Sequence, residues 1–207
     1  MRPLLLTAAL ALLVPPACQH FAFTKADATA VDMGSAAQAV SALQVAAAST
    51  QEAYEGVLAA TDLRGSFKRF ERDCDRFDRA TAEVVRSIEA VEKRTNDFLA
   101  AYAKQREEIK NPDLRAAMLM RREAIERQVT DMKVELSAML AAADSLSREL
   151  KDLRVFFSAN LNEQAVRGAQ VVGEKLRTSV AGLDSSAARV SLELTDLSTS
   201  LSSDGGK

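Results

Sequence analysis

The sequence predicts an all-α protein, a long antiparallel helical bundle of coiled-coil type with three to four helices, preceded by a signal peptide and a flexible tether. Composition is the first reason. Of 207 residues 47% are hydrophobic and 27% charged, aromatics are 5%, Trp is absent, and there are 8 Gly and 4 Pro, a balance that favours helices over strands. The second reason is periodicity, since apolar residues recur in alternating steps of three and four from Phe67 to Leu201. The third is punctuation: Asn111-Pro112-Asp113 separates two such runs of similar length.

Residues 1–17 are expected to be a signal peptide. Arg2 supplies a basic start and Leu4 to Val14 an apolar run, too short for a permanent span of about twenty residues. The following Pro15-Pro16-Ala17-Cys18 resembles a bacterial lipobox, in which the Cys after a small residue is lipidated and becomes the first residue of the mature chain. Pro15 departs from that pattern, which usually has Leu there. Pro16 is also unusual there, but Ala17 fits, and lipidation is assigned to Cys18, with ordinary cleavage further on, for example after Ala26-Asp27-Ala28, as the alternative. Gln19 in place of Asp resembles the outer-membrane sorting pattern of Gram-negative lipoproteins. Residues 18–34, small and polar, are expected to form the tether, and they include the only histidine, His20.

The bundle domain is expected over 35–203, with a disordered tail at 204–207. Ser35-Ala36-Ala37-Gln38 has the layout of a capping box and opens a first helix carrying Val40, Leu43, Ala47, Tyr54 and Val57, to about Ala60. Thr61 to Gly65 offers a cap in Asp62 and a tight turn; a continuous helix is the alternative. The second helix has the clearest seam, through Phe67, Phe70, Cys74, Phe77, Val84, Ile88, Val91, Phe98 and Ile109. The third starts at Pro112, with Asn111 as cap and Asp113 at the positive helix end, and its seam runs from Leu114 and Met118 to Phe157. Asn160 and Asn162 mark a turn with caps. The fourth helix runs from Leu161 to Leu201, and its interior Gly168, Gly173 and Gly182 each cost roughly 1 kcal/mol against Ala.

Chemistry is sparse in this pattern. With one histidine, placed in the tether, neither inward Glu-x-x-His pairs nor a His-dependent catalytic triad can be assembled, so no catalytic, cofactor-binding or metal residue is assigned and no enzyme is expected. Glu71, Asp73, Asp75 and Asp78 lack calcium-loop spacing and are expected to form a wet helix face. The interleaved Arg64, Lys68, Arg69, Arg72, Arg76 and Arg79 are balanced by those acids. With 27 basic and 29 acidic residues, a net charge of −2 draws the protein to no nucleic acid. Cys74, at core spacing, is expected to be a buried thiol, and Met118, Met120, Met132 and Met139 core filler. Arg121 and Arg122 are expected at the seam's rim. Asn160 and Asn162 have two readings, helix capping and a possible interaction turn at one end of the rod.

The stretch from about Leu63 to Gln170 resembles a proteobacterial lipoprotein family defined by domain of unknown function 2959. The residues that carry the resemblance are Pro112-Asp113-Leu114-Arg115, Val155-Phe156-Phe157, and Asn160-Leu161-Asn162 with Ala165. It implies a helical envelope lipoprotein with no assigned activity and transfers no catalytic residue. The short Thr61 to Gly65 link departs from the longer one of the family.

The function expected is a lipid-anchored, periplasm-facing helical protein with a structural or protein-interaction role. Its partners would be a membrane through the anchor, and an envelope protein or a second copy through helix faces, with no cofactor and no small-molecule substrate. The alternative is a soluble periplasmic protein that binds lipid surfaces.

Overall fold

The computed structural model describes residues 20–202, with side chains from Lys25 onward. Four helices follow in order, α1 (His20–Leu58), α2 (Leu63–Glu108), α3 (Pro112–Ala159) and α4 (Glu163–Ser202), and no strand occurs among the described residues. They contain 39, 46, 48 and 40 residues. At 1.5 Å per residue they are rods of about 58 to 72 Å. α1 packs against α2 and α4, and α3 against α4 and α2, so the chain runs up, down, up and down around one core. The all-α bundle foreseen from the periodicity is present.

Each helix enters the core through a stripe in steps of three and four. In α1 the buried row is Ala26, Thr29, Met33, Ala36, Val40, Leu43, Ala47, Thr50, Tyr54 and Val57. This row moves a boundary. The tether expected over 18–34 gives way to helix from His20, and the first three residues of the row, Ala26, Thr29 and Met33, all lie within that stretch. Small side chains hide the signal: Ala and Thr count little toward apolar periodicity, yet they suit a helix that must lie close to two neighbours. Thr29 and Thr50 are satisfied locally, their hydroxyls donating to Lys25 O at 2.7 Å and Ala46 O at 2.8 Å. The Thr50 hydroxyl also reaches Asp73 O of α2 at 3.0 Å, a contact only small residues between the helices permit. Ser35 is accordingly no N-cap. It sits inside α1 and donates to Val31 O. The signal peptide expected at 1–17, the candidate Cys18 and the tail expected at 204–207 lie outside the described residues.

The links are as compact as their cap chemistry suggests. α1 ends at Leu58, and Asp62 caps α2 by accepting from Gly65 N at 3.1 Å, so the first two helices are separate. Asn111 accepts from Asp113 N at 2.9 Å and Leu114 N at 3.2 Å, with Pro112 at the start of α3. Asn162 accepts from Ala165 N at 2.9 Å and opens α4.

Two departures concern the α2–α3 apex. Leu114, expected in the α3 seam, is 56% exposed, and Met120, expected as core filler, is 63% exposed. The α3 core stripe begins only at Ile125, because the described parts of α1 and α4 stop short of the apex. Met132 and Met139 are fully buried, as expected. In α4 Gly173 is buried in the core, beside the half-buried Val172.

Ion pairs cross all four seams. Arg94 meets Asp32 at 2.9 Å between α2 and α1, Arg177 meets Glu55 at 3.1 Å between α4 and α1, Arg189 meets Glu135 at 2.6 Å between α4 and α3, and Arg154 meets Asp75 at 3.0 Å between α3 and α2. Each contributes about 0 to 1 kcal/mol at the surface. Together they favour this neighbour order over one that would set like charges side by side.

Candidate functional site

The end of the rod bearing the α1–α2 and α3–α4 links is closed by a plug of rings. Tyr54 of α1, Phe67 and Phe70 of α2 and Phe157 of α3 pack with centroids 6.0 to 6.5 Å apart, and Phe70 meets Phe157 edge to face. The fourth helix joins through a hydrogen bond: the Tyr54 hydroxyl donates to Ala169 O at 2.6 Å. Gly173, one turn further along α4, lets the ring approach, and a Cβ there would lie 3.6 Å from Tyr54 Cε1. Burial raises the Tyr54 pKa, with Arg177 acting in the opposite direction, so the phenol stays protonated and keeps its role as donor.

Above this plug the Asn turn is exposed. The Asn160 backbone N–H donates to Phe156 O at 3.1 Å and ends α3, while Asn162 caps α4 through its side chain. The structure thus gives both asparagines places in helix termination and leaves their side chains open to solvent. Beside them lies an apolar surface. Phe157 turns into the plug, so its neighbours Val155 and Phe156 cannot follow it, and Phe156 is 40% exposed with its ring edge 3.9 Å from where a Gly168 Cβ would stand. Val171, three residues on along the same face of α4, is 84% exposed. Sequence reasoning did not single out this patch. Its signal was three consecutive large apolar residues, 155–157, of which a helix can turn only part toward one core.

Other groups marked in the sequence are engaged in the fold. Cys74 is a buried free thiol between α2 and α3. Burial pushes its pKa up to about 12; Arg154 opposes the shift, and Asp78, Asp75 and Asp73 add to it. The acids beside it are taken: Asp73 lies between Arg69 at 3.8 Å and Arg76 at 3.2 Å, Asp75 pairs with Arg154, and Asp78 accepts from the Ser147 hydroxyl at 3.0 Å. Among the described residues no group of three or more His, Cys, Asp or Glu is arranged to hold a metal ion. Arg121 and Arg122 sit half-buried at the rim, with Arg121 Nη2 donating to Ser200 O at 3.0 Å and Arg122 meeting Glu126 at 2.9 Å. No described helix is long and apolar enough to cross a membrane.

A family model with the description "Protein of unknown function (DUF2959)" matches residues 17–191. The match extends well beyond the Leu63 to Gln170 stretch that carries the resemblance in sequence. No curated protein and no solved structure matches the chain.

Proposed function

The chain belongs to the DUF2959 family, and from that membership together with the bundle's geometry we propose that it is a non-enzymatic helical module of the cell envelope, attached through a lipidated Cys18 and presenting its far end to a protein partner. The observation that carries this reading is the arrangement of the two ends. α1 begins at His20, two residues after Cys18, and its buried row runs from Ala26 without interruption to Tyr54 in the aromatic plug. An anchor at Cys18 would therefore hold a stiff rod of about 60 Å, with little slack, and the Asn160 turn and the Phe156–Val171 patch would face away from the membrane. Several acyl chains on one residue give durable attachment, because each buried methylene contributes about 0.8 kcal/mol. Polar side chains inside the bundle support a structural role, since the Thr29, Thr50, Thr95 and Tyr54 hydroxyls donate to backbone carbonyls.

Mass spectrometry of the mature N-terminus tests the anchor. The expected result is acylated Cys18 as the first residue, with Cys18→Ala moving the protein from the membrane to the soluble fraction. A mature chain that starts later, unmodified, would overturn it. Photo-crosslinkers at positions 156 and 171 test the far end: a discrete protein adduct is expected there and none from Val45 on the flank, whereas equal labelling at all three would contradict a specific docking end.

A further inference from the structure

The apex joining α2 to α3 stands at the opposite end from the Asn turn, and we propose that it docks on the interfacial layer of a lipid bilayer, with Leu114, Leu119 and Met120 entering it. The proposal deepens the reading of an anchored rod, on which it rests for its compartment, by assigning the rod a second point of attachment.

Three observations converge on it. The apex projects beyond the other two helices. Lys25 Nζ donates to Asp97 O at 3.4 Å, which sets His20 roughly level with Tyr102; Arg121 Nη2 and Gln128 Nε2 donate to Ser200, which sets the end of α4 near Arg121. The last turns of α2 and the first two of α3 therefore extend about 10 Å past the described parts of α1 and α4. The projecting tip and the turn at its base are also apolar in the wrong place for a solvated surface: Leu114, Leu119 and Met120 are exposed around α3 within seven residues. Finally, the chain outside the described residues leaves from this same end, since α1 starts there, and acyl chains on Cys18 would enter a bilayer beside the apex.

The apex charge selects the occupant. Lys104, Arg106, Lys110 and Arg115 surround the apolar residues, accompanied by Glu107, Glu108 and Asp113, so the tip is within about one charge of neutral and offers a charged protein partner little field to follow. The aliphatic stems of Lys and Arg can lie along acyl chains while their heads remain among headgroups. Insertion of apolar side chains is thus the driving interaction, and binding depends little on salt.

The test uses the chain from Gln19 onward, which keeps every described residue and lacks the anchor. Single cysteines replacing Leu119 or Val171 carry an environment-sensitive dye, while buried Cys74 stays unlabelled. With vesicles of phosphatidylethanolamine and phosphatidylglycerol, the dye at 119 is expected to shift to the blue and brighten, and the dye at 171 to remain unchanged. The double variant Leu119→Glu/Met120→Glu should lower vesicle co-sedimentation about tenfold or more. Its circular dichroism melting should be unchanged, because both residues are exposed. No shift at 119, an equal shift at 171, or self-association through the apex by analytical ultracentrifugation without vesicle binding would each overturn the proposal. Vesicle binding of the anchorless chain is read independently of Cys18 acylation, so failure of the apex and failure of the anchor are told apart.

Discussion

Cys74 and Tyr54 show how single side chains report on this fold. The buried thiol, with its pKa raised from near 9 to about 12, is expected to resist a soluble disulfide reagent in the folded protein and to react fully once urea unfolds it. The sign for stability follows from linkage: a raised folded pKa stabilises fully below about pH 9, and that contribution is lost as pH rises from there toward 12, at up to about 1.4 kcal/mol per pH unit. Urea denaturation at pH 8 and pH 10 checks it, Cys74→Ala removing the difference due to this group. Tyr54→Phe removes the 2.6 Å bond to Ala169 O and should destabilise by roughly 0.5 to 1.5 kcal/mol in urea melts. The Ala169 carbonyl keeps its place in the α4 ladder, which limits the loss.

At the scale of the element, glycines and caps separate helix propensity from packing. Gly182 faces solvent, with nothing within 4 Å of where a Cβ would stand, so Gly182→Ala should stabilise by about 1 kcal/mol. At Gly173 an Ala fits in ordinary contact with Tyr54, whereas Gly173→Leu must displace the ring and should destabilise; thermal melts of the two variants are expected to move in opposite directions. Asn162→Ala removes the acceptor for Ala165 N and should cost about 1 kcal/mol. Most of this was legible beforehand. The seams of α2, α3 and α4, the Asn111-Pro112 boundary and the capping role of Asn162 all follow from side-chain chemistry acting within a few residues. The start of α1 was less legible because its core row before Val40 is made of Ala, Thr and a single Met, which carry little hydropathy. The apex and the Phe156 patch were hidden for another reason: a repeat tells which residues share a face, but only the relative lengths and ends of the four helices tell where that face is left uncovered.

The whole molecule is a rod with unlike ends, an apex beside the chain's entry and an Asn turn above an aromatic plug. Small residues on α1 let it lie close to α2 and α4, while the large rings and leucines of α2 and α3 keep those two helices further apart. Asp75 illustrates the consequence. Four-residue spacing suggests Arg79 as its partner, yet it reaches across that wider seam to Arg154, a choice fixed by tertiary structure rather than by the helix itself. The proposed orientation of this rod at a membrane requires that residues 25–34 be built into the bundle rather than left as loose chain. Hydrogen exchange by mass spectrometry on the mature protein measures this directly. Amides from Ala26 to Gly34 are expected to be protected to an extent comparable with those from Val40 to Tyr54; exchange at the rate of an unstructured peptide would contradict the account.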